Sequence, residues 1–185
     1  MKKIFLTSIL YSVCIIAFSQ AKVYDGKLIV GTAESELIGK DISDLQLINL
    51  KGETIAMNSF KGKYLYVDFW FTGCKPCIAE VPSARELEDK LQDKDIVFVN
   101  ISFDLSQDKW KESVKKFEIA GENLWVGSIE KRDVWTAEYN MTVFPRYWIV
   151  NPDGIILHPD AERPSKYLEI EGLLERDIET VSNIR

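Results

Sequence analysis

Seven consecutive residues, Tyr64-Leu65-Tyr66-Val67-Asp68-Phe69-Trp70, leave almost no position for solvent, and this predicts a strand covered on both faces. Phe71-Thr72-Gly73 then leads into Cys74-Lys75-Pro76-Cys77, and Ile78, Val81, Leu87 and Leu91 recur at helical spacing over residues 75–92. The order strand, C-x-x-C, helix sets two thiols where a buried strand turns into a helix N-terminus. Unpaired backbone N–H groups and the positive end of the helix dipole favour thiolate there, and thiolate is the species that attacks disulfides. The geometry implied is that of a redox-active dithiol.

The start of the chain bears on how the cysteines are counted. Met1-Lys2-Lys3, the largely apolar stretch Ile4 to Phe18, and small residues at Ala17, Ser19 and Ala21 read as a secretory signal peptide, residues 1–20. The apolar run is about 15 residues where a span needs about 20, so an uncleaved membrane anchor is the lesser alternative. Cleavage removes Cys14, Lys2 and Lys3, leaving Cys74 and Cys77 with 21 basic and 29 acidic residues, a formal charge of −8. Four-coordinate zinc would need two further ligands, and the mature chain offers no other cysteine and only His158. A purely structural disulfide is also disfavoured, because so short a ring removes little chain entropy. The acidic balance argues against nucleic acid or an anionic membrane as partner.

The rest divides into an extension, residues 21–38, and one domain, residues 39–185. Lys27 to Val30 is a candidate short strand in the extension. Leu45 to Asn49 and Thr54 to Met57 flank a glycine-containing turn and predict a hairpin, followed by a helical turn over 58–63. A second buried strand is expected over 95–102, an amphipathic helix over 107–119 with Trp110, Val114 and Phe117 inward, a short strand near 123–126 and a helix over 131–140. Pro145 to Val150 and Gly154 to Leu157 flank Asn151-Pro152-Asp153-Gly154 and predict an antiparallel hairpin. A helix over 164–181 closes the chain, with Arg163-Pro164-Ser165 at its start and His158 expected in a surface loop. The fold class is α/β, a central mixed sheet flanked by helices on both faces, with an N-terminal β-hairpin extension.

From about Gly39 to Thr180 the chain resembles the thioredoxin-like superfamily, and within it the TlpA/ResA-type thiol-disulfide oxidoreductases. The resemblance rests on Gly62-Lys63, Asp68-Phe69-Trp70, Cys74-Lys75-Pro76-Cys77-Ile78-Ala79-Glu80-Val81-Pro82, Tyr139 to Pro145, and Val150-Asn151-Pro152-Asp153-Gly154. It implies a thioredoxin-like fold with Cys74 as the exposed nucleophile and Cys77 as the shielded resolving thiol. Glu80 and Asp68 would tune the thiols and handle their protons. Pro145 would be a cis-proline facing the dithiol, with the Phe144 backbone pairing with an extended substrate chain. Lys75 and Pro76 between the cysteines and Gly73 before them complete the candidate substrate-binding set. Gly73 departs from the family, which most often has tryptophan there; losing that ring opens one side of the site. Trp70 reads as core packing beside it.

The resemblance implies an exported enzyme, most simply periplasmic, that reduces protein disulfides with no cofactor beyond its own Cys74–Cys77 pair. Partners would be disulfide-containing exported proteins, apocytochrome c among them in cytochrome c maturation, and a membrane thiol reductase as electron donor. The protein is expected to be a monomer. An oxidase or isomerase of secreted proteins is the alternative, since Lys75 favours thiolate while Pro76 resembles reducing members. A peroxiredoxin-type peroxidase fits poorly, because Thr72 stands at the wrong distance and no proline precedes Cys74. A copper or haem chaperone would need His or Met near the dithiol.

Overall fold

The computed structural model describes residues 21–24, 27–30 and 35–182; the expected signal peptide lies outside them. Ala21–Tyr24 (β1) and Lys27–Val30 (β2) pair antiparallel as a ladder of their own, with Ala21 opposite Val30. Seven further strands form one sheet: Gln46–Asn49 (β3), Thr54–Ala56 (β4), Tyr64–Trp70 (β5), Ile96–Ser102 (β6), Glu122–Trp125 (β7), Arg146–Val150 (β8) and Ile156–His158 (β9). Their spatial order is β4-β3-β7-β6-β5-β8-β9. β5, β6 and β7 run parallel, and every other pairing is antiparallel.

The most hydrophobic segment lies inside the sheet, as its composition requires. β5 is flanked by β6 and β8, and each of its residues is buried except Asp68, which is partly exposed. Cross-strand partners share a face: Tyr66, Phe98 and Ile149 on one, Val67, Val99 and Trp148 on the other. The first face packs on Leu87 and Leu91 of helix α1 (Lys75–Leu91) and on Ile170 and Leu174 of helix α4 (Tyr167–Ser182). The second face packs on Trp135 and Tyr139 of helix α3 (Ile129–Tyr139), where Phe69 meets Trp148 edge-on with the ring centroids 4.5 Å apart. Helix α2 (Gln107–Phe117) buries Trp110 and Val114 beside the cysteines.

Loop chemistry fixes where these elements turn. Ser106 caps α2 by accepting the Lys109 N–H at 3.4 Å, and the helix ends at Glu118 in the left-handed conformation. Gly121, at φ +74°, opens β7; a side-chain carbon there would lie 2.7 Å from the Phe98 carbonyl oxygen, so only glycine fits. Two expectations are corrected. His158 ends β9, half-buried and 3.1 Å from Asp177 of α4, because the strand pairs with β8 up to that residue. Pro164 starts a 3-10 turn, Pro164–Lys166, and α4 begins only at Tyr167.

Candidate active site

Cys74 is the N-cap of α1 and forms a disulfide with Cys77, their Cα atoms 5.3 Å apart. Cys74 Sγ accepts the Cys77 N–H at 3.3 Å, the contact by which a helix start stabilises charge on that sulfur. Pro76 stands in the first turn, where its missing N–H leaves no helical bond unmade. Cys77 is 2% exposed, as expected for a shielded thiol, but Cys74 is only 5% exposed rather than open to solvent. Both belong to a cluster with Trp70, Trp110 and Val114, against which Phe71 and Phe144 pack from outside. Those aromatic neighbours come from segments distant in sequence, which is why the strand-to-helix reading makes Cys74 too exposed.

The loop before the cysteines is tied down by a group no motif marks. Asp104, just beyond β6, is buried, and its carboxylate accepts the Thr72 N–H at 3.1 Å, the Thr72 hydroxyl at 2.9 Å and the Ser102 hydroxyl at 2.8 Å. Thr72 Oγ1 also bonds Ser113 of α2 at 2.9 Å. The Asp104 carbonyl accepts Trp125 Nε1–H at 2.7 Å. The parallel register, Trp70 opposite Ser102, brings Thr72 and Asp104 together, and a buried carboxylate here is compensated by dipoles.

Asp68 lies behind the resolving thiol. A cavity of about 20 Å³ is lined by Asp68, Cys77, Trp70, Val81, Glu88 and Ile119 among others. That is room for about one water. Asp68 Oδ1 is buried without a hydrogen-bond partner, and burial together with the negative charge of Glu80 pushes the carboxyl up to about 8. Burial likewise raises Glu88 at the cavity wall, with Asp89 adding to it, and raises the Tyr147 hydroxyl opposite Asp68 on β8. A carboxyl of this kind stays protonated near neutrality and exchanges its proton at pH values where thiols do.

Glu80 is 9% exposed on α1 and turns toward the segment before α4. Its oxygens accept the Ser165 N–H at 3.0 Å and the Ser165 hydroxyl at 3.1 Å, with Arg163 Nη1 at 3.6 Å. It thus joins α1 to the 163–165 turn while acting on Asp68 through its charge. Arg163-Pro164-Ser165 is accordingly part of this arrangement, not only a helix start.

The substrate-facing candidates come from two loops. The Phe144–Pro145 peptide is cis, and Phe144 packs edge-on to Phe71 at 5.5 Å and against Phe103 at 5.1 Å. Pro145 is half-buried, while Gly73, Lys75 and Pro76 are exposed. Among the described residues, no group of three or more His, Cys, Asp or Glu side chains is arranged to hold a metal ion.

The chain is similar to known proteins in sequence and in fold. The family described as thioredoxin-like matches residues 62–156. The chain is 26% identical over 143 residues to thiol-disulfide oxidoreductase ResA of Bacillus cereus, covering 77% of this chain and 80% of that protein. It is 31% identical over 127 residues to ResA of Bacillus subtilis, covering 67% of each. The thioredoxin domain of a thiol-disulfide oxidoreductase from Bacteroides vulgatus superposes with a TM-score of 0.65 at 28% identity, covering 74% of this chain and 96% of that one. A strand-to-helix dithiol on a mixed sheet and this extent of likeness lead to one conclusion: the chain belongs to the thioredoxin-like family and is a thiol-disulfide oxidoreductase similar to ResA.

Proposed function

We propose that the protein works as a reductant of disulfides in extracytoplasmic proteins, apocytochrome c among them, after export by its N-terminal segment. The observation that carries this direction is the setting of the disulfide: two nearly enclosed sulfurs in an apolar cluster, with Asp68 at the cavity beside Cys77. A strongly oxidising dithiol needs its reduced form stabilised as thiolate. Apolar enclosure opposes thiolate, which supports a low potential.

In the reaction, the Cys74 thiolate attacks one sulfur of the substrate disulfide. A bond forms between Cys74 Sγ and that sulfur, and the other substrate sulfur leaves with the electron pair. Cys77 then gives its proton toward Asp68, in the fraction of molecules in which a carboxyl near 8 is ionised, across a cavity with room for one water, and attacks Cys74 Sγ. The second substrate thiolate is released and the Cys74–Cys77 disulfide closes. A carboxyl raised to about 8 holds a proton in the range where thiols release theirs, which an ordinary carboxylate does not. Re-reduction comes from an extracytoplasmic thiol donor, for which a membrane thiol reductase has the right chemistry. Phe144 and Pro145 face the substrate chain.

The test is the reduction potential of the Cys74–Cys77 couple in defined thiol buffers. A value at or below roughly −220 mV agrees with a reductant. A value above roughly −150 mV overturns that direction in favour of oxidase or isomerase activity.

A further inference from the structure

Beside the disulfide, one side chain occupies the place of another. A carbon added at Gly73 would lie 3.0 Å from Phe71 Cε2 and 3.5 Å from Cδ2, so the Phe71 ring already fills the space a side chain at position 73 would take. The ring is held from both ends. The Phe71 carbonyl accepts the Cys74 N–H at 2.9 Å, and the ring meets Phe144 edge-on at 5.5 Å, which in turn rests on Phe103. Phe71 and Phe144 both pack on the cluster that contains the cysteines, and both keep part of their surface exposed. Around them, Val143 is 62% exposed next to Phe144, and Leu105 is 69% exposed next to the Asp104 that anchors Thr72.

We propose that Phe71, seated against Phe144, is a specificity-determining residue: it forms an apolar wall for the side chain adjoining the attacked cysteine and selects substrates carrying an apolar residue there. The wall is fixed before substrate arrives, so an apolar neighbour covers aromatic surface without rearranging the loop, whereas a polar neighbour loses water for nothing in return. The inference rests on exchange at Cys74, not on its physiological direction.

The test uses reduced protein and two blocked pentapeptides, one with leucine and one with serine on both sides of a single cysteine. Each cysteine is capped as a mixed disulfide with thionitrobenzoate. Cys74 thiolate attacks the peptide sulfur, the sulfur–sulfur bond to the cap breaks, and thionitrobenzoate leaves with the electron pair and is read by its colour. The protein reacts about fivefold or more faster with the leucine peptide. Phe71→Ala brings that ratio below about twofold by slowing the leucine peptide, with the serine peptide little changed. Phe71→Leu keeps most of the preference, and Gly73→Ala, which pushes the ring aside without removing it, lowers it. The proposal is overturned if the native protein shows no preference, if Phe71→Ala slows both peptides equally, or if it speeds the leucine peptide, which would make the ring a cover over Cys74. Should Phe71→Ala not fold, Gly73→Ala decides. A wrong direction of physiological flow would show in the potential and leave the peptide ratio intact.

Discussion

Asp68 and Cys77 line the same cavity, with Asp68 reaching it from the central strand and Cys77 from the first helix. Asp68 is half-buried, on the wall of a cavity also lined by Val81 and Ala84 of α1 and by Ile119 and Ala120. The sheet register sets it opposite Tyr147 and Asn100, and neither side chain donates to it. Its environment therefore selects the neutral form.

That selection has a direction in pH. The folded protein retains the Asp68 proton to about pH 8, whereas an unfolded chain releases it near the ordinary value of 3.8. Stability is full below that lower value and falls as the pH rises toward 8, by up to about 1.4 kcal/mol per pH unit. Oxidised Asp68→Asn lacks this loss, so it should gain about 4 kcal/mol on the native protein between pH 5 and pH 9. Urea denaturation of the disulfide form at the two pH values measures this; parallel pH profiles would contradict it.

Glu80 acts on the same group through its charge. Glu80→Gln should lower the Asp68 pKa below about 8, followed by carboxyl NMR titration of the oxidised protein. Ser165→Ala removes a bond to Glu80 but leaves its charge, so it should cost about 1 kcal/mol of stability and leave the Asp68 titration nearly in place. An unchanged titration in Glu80→Gln would separate the two carboxyls.

Thr72→Val removes the hydroxyl that bridges Asp104 and Ser113 while preserving shape. Leaving a buried carboxylate oxygen short of a donor should cost about 1–3 kcal/mol. The Phe71–Gly73 loop then keeps only the backbone N–H of residue 72 on Asp104, so exchange with a protein disulfide should slow more than exchange with a small aromatic disulfide. Thermal denaturation and the two rates read this out; equal slowing would point to a general loss of fold.

At Gly121 the obstacle to a side chain is the Phe98 carbonyl oxygen, which the sheet holds in place. Gly121→Ala combines this close approach with a left-handed backbone and should cost about 2 kcal/mol or more, measured by urea denaturation. A neutral effect would mean that the start of β7 moves freely.

The central strand, the dithiol and the terminal hairpin are legible in sequence because each carries a local signal: a continuous apolar run, a cysteine spacing, a turn composition. Asp68 stands out because a charge interrupts that run. Asp104 has no such mark; its meeting with Thr72 exists only through the parallel pairing of β5 with β6. The covering of Cys74 depends on Phe144, seventy residues on, whose approach the cis-proline loop decides. His158 is misplaced because a three-residue strand offers too little periodicity to be told from a loop.

The size of the cavity behind Cys77 limits who can converse with that sulfur. A space of about 20 Å³ has room for about one water, and Cys77, 2% exposed, offers almost no surface to a thiol from outside. Every electron pair must enter and leave by Cys74, a single port, and Cys77 is insulated from the surrounding pool of small thiols. Adducts with such thiols will therefore collect on one sulfur alone, and the other remains in reserve to remove them.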